Sequence, residues 1–134
     1  MRLTVIESPY AGKVEENLAY LDQAILHCLR RNESPYASHK MLTTALNDNI
    51  PVERRLGIDA GLAFRRHMHN RAFYIDLGWS GGMEAALRLY LREGLTFELR
   101  TIYGEMVWES CRTAFTPGLL GMDRCIQHVK GIHL

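Results

Sequence analysis

Short apolar runs of strand length alternate along this chain with stretches whose apolar residues recur at helical spacing. That alternation is the strongest constraint on its fold, because strands separated by helices pair in parallel. Leu3, Val5 and Ile6 mark a first strand over residues 2–7, which Ser8-Pro9-Tyr10-Ala11-Gly12 breaks. Leu18, Leu21, Ala24, Ile25, Cys28 and Leu29 then keep a helical period from Val14 to about Arg31. A short second strand is expected around 35–38, and the weakly patterned stretch 39–50 ends in the loop signal Asn47-Asp48-Asn49. Pro51 suits the first turn of a helix on which Leu56, Ala60, Ala63, Phe64 and His67 share one face. Residues 72–77 read as the clearest interior strand, followed by Gly78-Trp79-Ser80-Gly81-Gly82. Met83, Ala86, Leu87, Tyr90 and Leu91 form the inward stripe of the next helix, which Gly94 caps, and 95–102 resumes as a strand.

The order β-α-β-α-β-α-β predicts an α/β fold with a doubly wound, flavodoxin- or Rossmann-like and mostly parallel sheet, flanking helices and a helical C-terminal tail. A chain of 134 residues fits one domain over 1–134, with a core of about 1–102 and an extension over 103–134. In the extension, Met106, Val107 and Ser110 suit a helix, Thr116-Pro117-Gly118 breaks it, and Leu119, Met122, Ile126 and Val129 suggest a final helix. In sheets of this kind ligands bind beyond the carboxyl ends of the strands, where strand order reverses. The turns at 8–13 and 77–83 are therefore the places to look.

The charge balance narrows the ligand classes. Sixteen Lys and Arg against fifteen Asp and Glu leave a formal charge of +1, which gives no general pull toward DNA, RNA or an anionic membrane. One small phosphorylated ligand needs only a few local donors and stays compatible. Cys28, Cys111 and Cys125 are odd in number and lack CxxC spacing, so they read as reduced thiols rather than a disulfide framework or zinc site. No signal peptide and no membrane-spanning run is recognisable, so the expected location is cytoplasmic, the cytosol of a bacterium or of a phage-infected host. No cofactor is expected.

Ser8, Pro9, Tyr10 and Gly12 end the first strand with residues that let backbone N–H groups approach a ligand, although an ordinary strand-to-helix turn has the same composition. Trp79, Ser80, Gly81, Gly82 and Met83 resemble a phosphate- or sugar-cradling loop at a helix N-terminus, with the Ser80 hydroxyl as a ligand donor. Asp59 and Asp76 are carboxylates suited to a sugar hydroxyl or to protonating a leaving base. Their plain alternatives are a solvated helix carboxylate and a turn or cap, and the residues alone favour those. His67 and His69 lack a third ligand at a metal-binding spacing and lie among Arg65, Arg66 and Arg71, so no metal site is expected. His39, just after the second strand, is the better-placed histidine. Ser110 and Cys111 lack a nucleophile-elbow context.

Together, Ser8-Pro9-Tyr10-Ala11-Gly12 with Asn17 and Tyr20, then His39, Glu53-Arg54, Gly57-Ile58-Asp59 and Ser80-x-Gly82-Met83, resemble the small nucleoside 2-deoxyribosyltransferase-like proteins of bacteria and phages. The resemblance covers roughly residues 1–102. It implies a superfamily that includes deoxyribosyltransferases and deoxynucleoside monophosphate N-glycosidases, acting on a nucleoside or deoxynucleoside monophosphate. Their chemistry uses a glutamate on the helix after the glycine-containing loop, which attacks the anomeric carbon to give a glycosyl-enzyme intermediate. By the same resemblance Tyr10 or Ser8 would orient that glutamate or the sugar. Asp59 would contact the sugar or base, and subunits would pair as a homodimer or higher oligomer.

The position that should carry the nucleophile holds Ala86. Glu84 is two residues earlier, about 200° around a helix, and projects differently. Three explanations follow. The chain has lost catalysis and kept a binding pocket, for instance to sequester a nucleotide-derived immune signal on behalf of a phage. Alternatively, a glutamate has been replaced to trap a ligand, or Glu84 has taken over through a shifted helix start.

Overall fold

The computed structural model describes residues 1–104, 107–109 and 121–134. In chain order the elements are β1 (Arg2–Glu7), α1 (Val14–Arg30), β2 (Glu33–Tyr36), α2 (Ser38–Ala45) and α3 (Pro51–His67). They continue with β3 (Asn70–Tyr74), α4 (Gly81–Glu93), β4 (Glu98–Arg100), β5 (Val107–Glu109) and α5 (Met122–Lys130). The strands form one sheet in the order β2-β1-β3-β4-β5, parallel from β2 to β4, with β5 antiparallel at the β4 edge. The α/β class and the mostly parallel sheet are as expected. The opposite edge is β2, four residues long with Pro35 inside it.

Side chains alternate across the sheet, and the alternation builds two cores. On one face Ile6, Ala72 and Tyr74 pack against Tyr20, Leu21, Ala24 and Cys28 of α1. On the other, Phe73 and Leu99 meet Met83, Leu87, Tyr90 and Leu91 of α4 and Ile126 and Val129 of α5. The predicted inward stripe of α4 is buried in full. Its end is fixed by Gly94, which takes the left-handed conformation (φ 65°) as the amide of Leu95 returns to the Tyr90 carbonyl at 2.9 Å.

Several expectations are corrected. The second and third strands begin two residues earlier than their apolar residues suggest, because polar side chains open both. Glu33 starts β2, and Asn70 and Arg71 start β3, all three buried. Arg71 is accommodated by donating to the carbonyls of Thr96, Arg65 and Met68 at 2.8, 3.0 and 3.0 Å. The fourth strand covers only Glu98–Arg100 of the predicted 95–102. The stretch 39–50 contains helix α2, whose only buried residue is Ser38, so no apolar stripe announces it.

Helix α3 is rotated against its own pattern: Leu56 and Phe64 are about half exposed, and Ala63 and His67 also face outward. Glycines make the close face instead. A Cβ on Gly57 would stand 3.2 Å from Leu46 Cδ1, and one on Gly61 would stand 3.4 Å from Ser38 Cβ. The tail also differs from expectation, since Val107 lies in a strand and not a helix. Residues Met106, Ser110, Thr116, Pro117, Gly118 and Leu119 of that reading lie outside the described residues. The final helix is present as α5, with Met122 in its first turn. No helix among the described residues is long and apolar enough to cross a membrane.

Candidate functional site

The chain passes from β1 to β2 on one side and then to β3 on the other side of β1, so strand order reverses at β1. The segments that follow these strands bring several of the predicted residues together. Ser8 Oγ and His39 Nε2 share a hydrogen bond of 2.9 Å, and the Tyr10 ring stands edge-on to His39 at 6.4 Å. The turn holding them is fixed from α1. Asn17 Nδ2 donates to the carbonyls of Tyr10 and Ala11 at 3.0 and 3.2 Å, and Gly12 turns the chain at φ 91°, where a side chain would be strained.

Beneath this turn lies a buried group that apolar periodicity does not reveal. Glu7, the last residue of β1, accepts from Arg65 Nε at 2.6 Å and Nη2 at 3.2 Å, and from Tyr90 Oη at 2.8 Å. Arg65 also donates to Ser38 Oγ at 3.3 Å, which ties α2, α3, α4 and β1 to one carboxylate. A carboxylate directly after the apolar pair Val5-Ile6 was the available signal. Burial lowers the His39 imidazole below its usual range; the Glu7 charge opposes that and the Arg65 charge adds to it. His39 is therefore a neutral ring at neutral pH, able to donate from one nitrogen and accept at the other.

Asp76 occupies the corresponding place after β3, and it organises loops. Its carboxylate accepts from Tyr20 Oη at 2.5 Å, from the Ile102 amide at 2.9 Å and from the Tyr103 amide at 3.2 Å, so it fastens the segment after β4 to α1. Next to it, Trp79 is half-buried against Phe73, and Ser80 caps α4 by accepting from the Met83 amide at 3.2 Å. A Cβ on Gly81 would meet nothing within 4 Å, and one on Gly82 only Ser80 Oγ at 3.9 Å, so the space before this helix end is open. Met83 is buried in the core beneath it. Pro9 is buried beside Ser8.

The remaining predicted residues lie apart from this group. Asp59 is exposed and pairs with Arg55 one helical turn away at 3.3 Å. Glu84 pairs with Lys130 at 2.8 Å, joining α4 to α5. Ala86 is 5 % exposed and belongs to the apolar cluster of α4, α5 and Phe73. His69 Nδ1 accepts from the Leu3 amide at 2.9 Å, a contact that supports the start of β1. Among the described residues no cluster of His, Cys, Asp and Glu is grouped as a metal centre would require. Cys28 and Cys125 are free thiols, and Cys111 lies outside the described residues.

A family model described as a domain of unknown function, DUF7768, matches residues 2–100, from β1 through β4. The chain belongs to this family. No curated protein and no solved structure matches it. The matched span contains both turns of the site and the parallel part of the sheet, and stops before β5 and α5.

Proposed function

We propose that this DUF7768 chain binds a nucleoside or nucleotide without cleaving it. The ligand would lie across the carboxyl ends of β1 and β3 in a doubly wound, Rossmann-like arrangement. The Ser8–His39 pair and Tyr10 suit a sugar hydroxyl or a phosphate oxygen. The open approach to Ser80-Gly81-Gly82 suits the same ligand from the β3 side.

The observation that carries the non-cleaving reading is the state of the carboxylates. Glu7 is held by Arg65 and Tyr90, and Asp76 by Tyr20 and two amides. Glu84 is held by Lys130 and Asp59 by Arg55, while Ala86 faces apolar neighbours. A glycosyl-enzyme mechanism needs a carboxylate free to attack the anomeric carbon. None of these four is unengaged.

The test is chromatography with mass detection on nucleosides, deoxynucleotides and cyclic or ADP-ribose-type nucleotides. Each is incubated with this chain and, in parallel, with Ala86→Glu. Intact ligand retained by both proteins is the expected result. Free base released only by Ala86→Glu would make the chain a glycosidase or transferase lacking its nucleophile. Retention of nothing by the parent chain would remove the reading altogether, whatever the variant does.

We also propose that the subunits pair. The outward apolar face of α3, with Val52 71 % and Leu56 56 % exposed, supports this. Light scattering of the parent and of Leu56→Lys would test it, with a monomeric parent as the contrary result.

A further inference from the structure

Beyond the carboxyl ends of β3 and β4 the structure has a cleft of about 350 Å³. None of Ser8, Tyr10 or His39 lines it. Its walls come from Asp76 and Trp79 after β3, Thr101 after β4, and Lys130, Ile132 and His133 at and after the end of α5. That volume falls within the range of small-molecule sites, which combine apolar walls with a few convergent polar groups.

The wall chemistry identifies the class of occupant. Its two charged side chains, Asp76 and Lys130, already have partners inside the protein. The Asp76 carboxylate is shared by Tyr20 and the amides of Ile102 and Tyr103, and the Lys130 ammonium faces Glu84 at 2.8 Å. A strongly charged ligand would therefore find neither of these side chains unmatched. Hydrogen-bonding capacity remains, because an ammonium has three hydrogens and Lys130 gives one to Glu84. His133 is exposed and has no partner among the described residues, so its ring nitrogens are available. The flat surface is Trp79, braced at 4.9 Å and 38° by Phe73 of β3. Ile132 and Ile75 supply apolar wall beside it.

We propose that this cleft holds a flat, uncharged heteroaromatic ring bearing exocyclic oxygen or nitrogen, the chemistry of a nucleobase, stacked on Trp79 and hydrogen-bonded by Lys130 and His133. The assignment rests on the nucleotide-binding reading above and deepens it by giving the base a place of its own. Indole stacking recognises the ring face, which every base has, and the two polar side chains select among ring edges.

The experiment is calorimetric titration of the full chain with free adenine, guanine, cytosine and uracil, with inorganic phosphate, and with a deoxynucleoside monophosphate as reference. The variants are Trp79→Leu, which keeps apolar packing on Phe73, and His133→Ala, an exposed position whose replacement does not threaten folding. At least one base should bind. Its affinity should fall about tenfold or more in Trp79→Leu, the loss expected for one stacking partner. A fall of severalfold is expected in His133→Ala.

Monophosphate binding that neither variant disturbs would overturn this inference and leave the nucleotide reading intact. If neither bases nor nucleotides bind the parent chain, both fall. Inorganic phosphate that binds the parent and is lost in His133→Ala would make the cleft an anion site and overturn the inference as well.

Discussion

The two faces of the sheet are held by different physics. Toward α4 and α5 the contacts are mostly apolar and aromatic, with Phe73 edge-on to Phe97 at 5.7 Å and to Tyr90 at 5.6 Å, and the Glu7–Arg65–Tyr90 group closes one end. Toward α1 the sheet buries a charge network. Arg100, fully buried, grips Glu33 with two bonds of 2.8 and 2.7 Å and Glu98 with one of 2.7 Å, and donates to Tyr74 Oη at 3.0 Å. An apolar face tolerates repacking, because neighbours relax into part of any space created. A buried ion network does not, since removing one member leaves the others charged and unpaired in a poorly polarisable interior. The difference predicts where the fold is brittle.

Arg100→Met should be the most damaging change, costing about 4 kcal/mol in denaturant unfolding, because Glu33 and Glu98 lose their partner. Adding Glu33→Leu and Glu98→Leu to it should recover much of that loss. If the triple variant is no better than the single one, the arginine is valued for packing and the contrast between the faces breaks. Leu87→Ala, on the apolar face, should cost about 3 kcal/mol by the same measurement. Ser80→Ala removes the side-chain cap of α4 and should cost about 1 kcal/mol. Arg55→Ala, at the exposed pair with Asp59, should change stability by less than about 0.5 kcal/mol.

Acid should act first at the site and, at lower pH, on the charged face. Burial alone would raise the Glu33 carboxyl, but the hydrogen bonds and charge of Arg100, with Thr4 and Arg31, hold it below the usual carboxylate range. A lowered carboxyl contributes stability above its unfolded value and loses it as pH falls through its folded value. His39 is also lowered, by burial, so the unfolded chain binds its proton first. Its contribution is present above the ordinary histidine value of about 6.5 and declines below it. Unfolding followed from pH 8 down to 4 should show a first decline near the histidine range that His39→Gln removes. A profile identical in that variant would mean that His39 does not take part in the linkage.

Legibility in the sequence followed the same division. Helix α4 was readable to its last residue because it packs by apolar stripe and ends on a left-handed glycine. The two strand starts were misplaced because Glu33 and Arg71 are buried by hydrogen bonds that apolar periodicity does not register, Arg100 being 67 residues from Glu33 and Arg71 meeting backbone carbonyls. Local pattern carries no trace of such pairing. Helix α3 misled for the opposite reason: apolar residues such as Val52 and Leu56 face outward, while Phe64 stacks on Tyr36 and Gly57 and Gly61 make the close approach to α2.

At the site, Ser8, Tyr10 and His39 were identifiable from their places after strands, and they do come together. Glu7 was missed because a carboxylate at a strand end is usually solvated. Asp76 was recognised as a residue of consequence, and its three bonds organise the loops around it.

Pro35 gives the β2 edge a property beyond folding. Proline has no amide hydrogen, so this border of the sheet lacks a donor in the middle of a strand only four residues long. A foreign strand laid against it would find its ladder interrupted after one or two rungs. The chain thereby resists joining its neighbours edge to edge when crowded, and keeps that border from seeding fibrils.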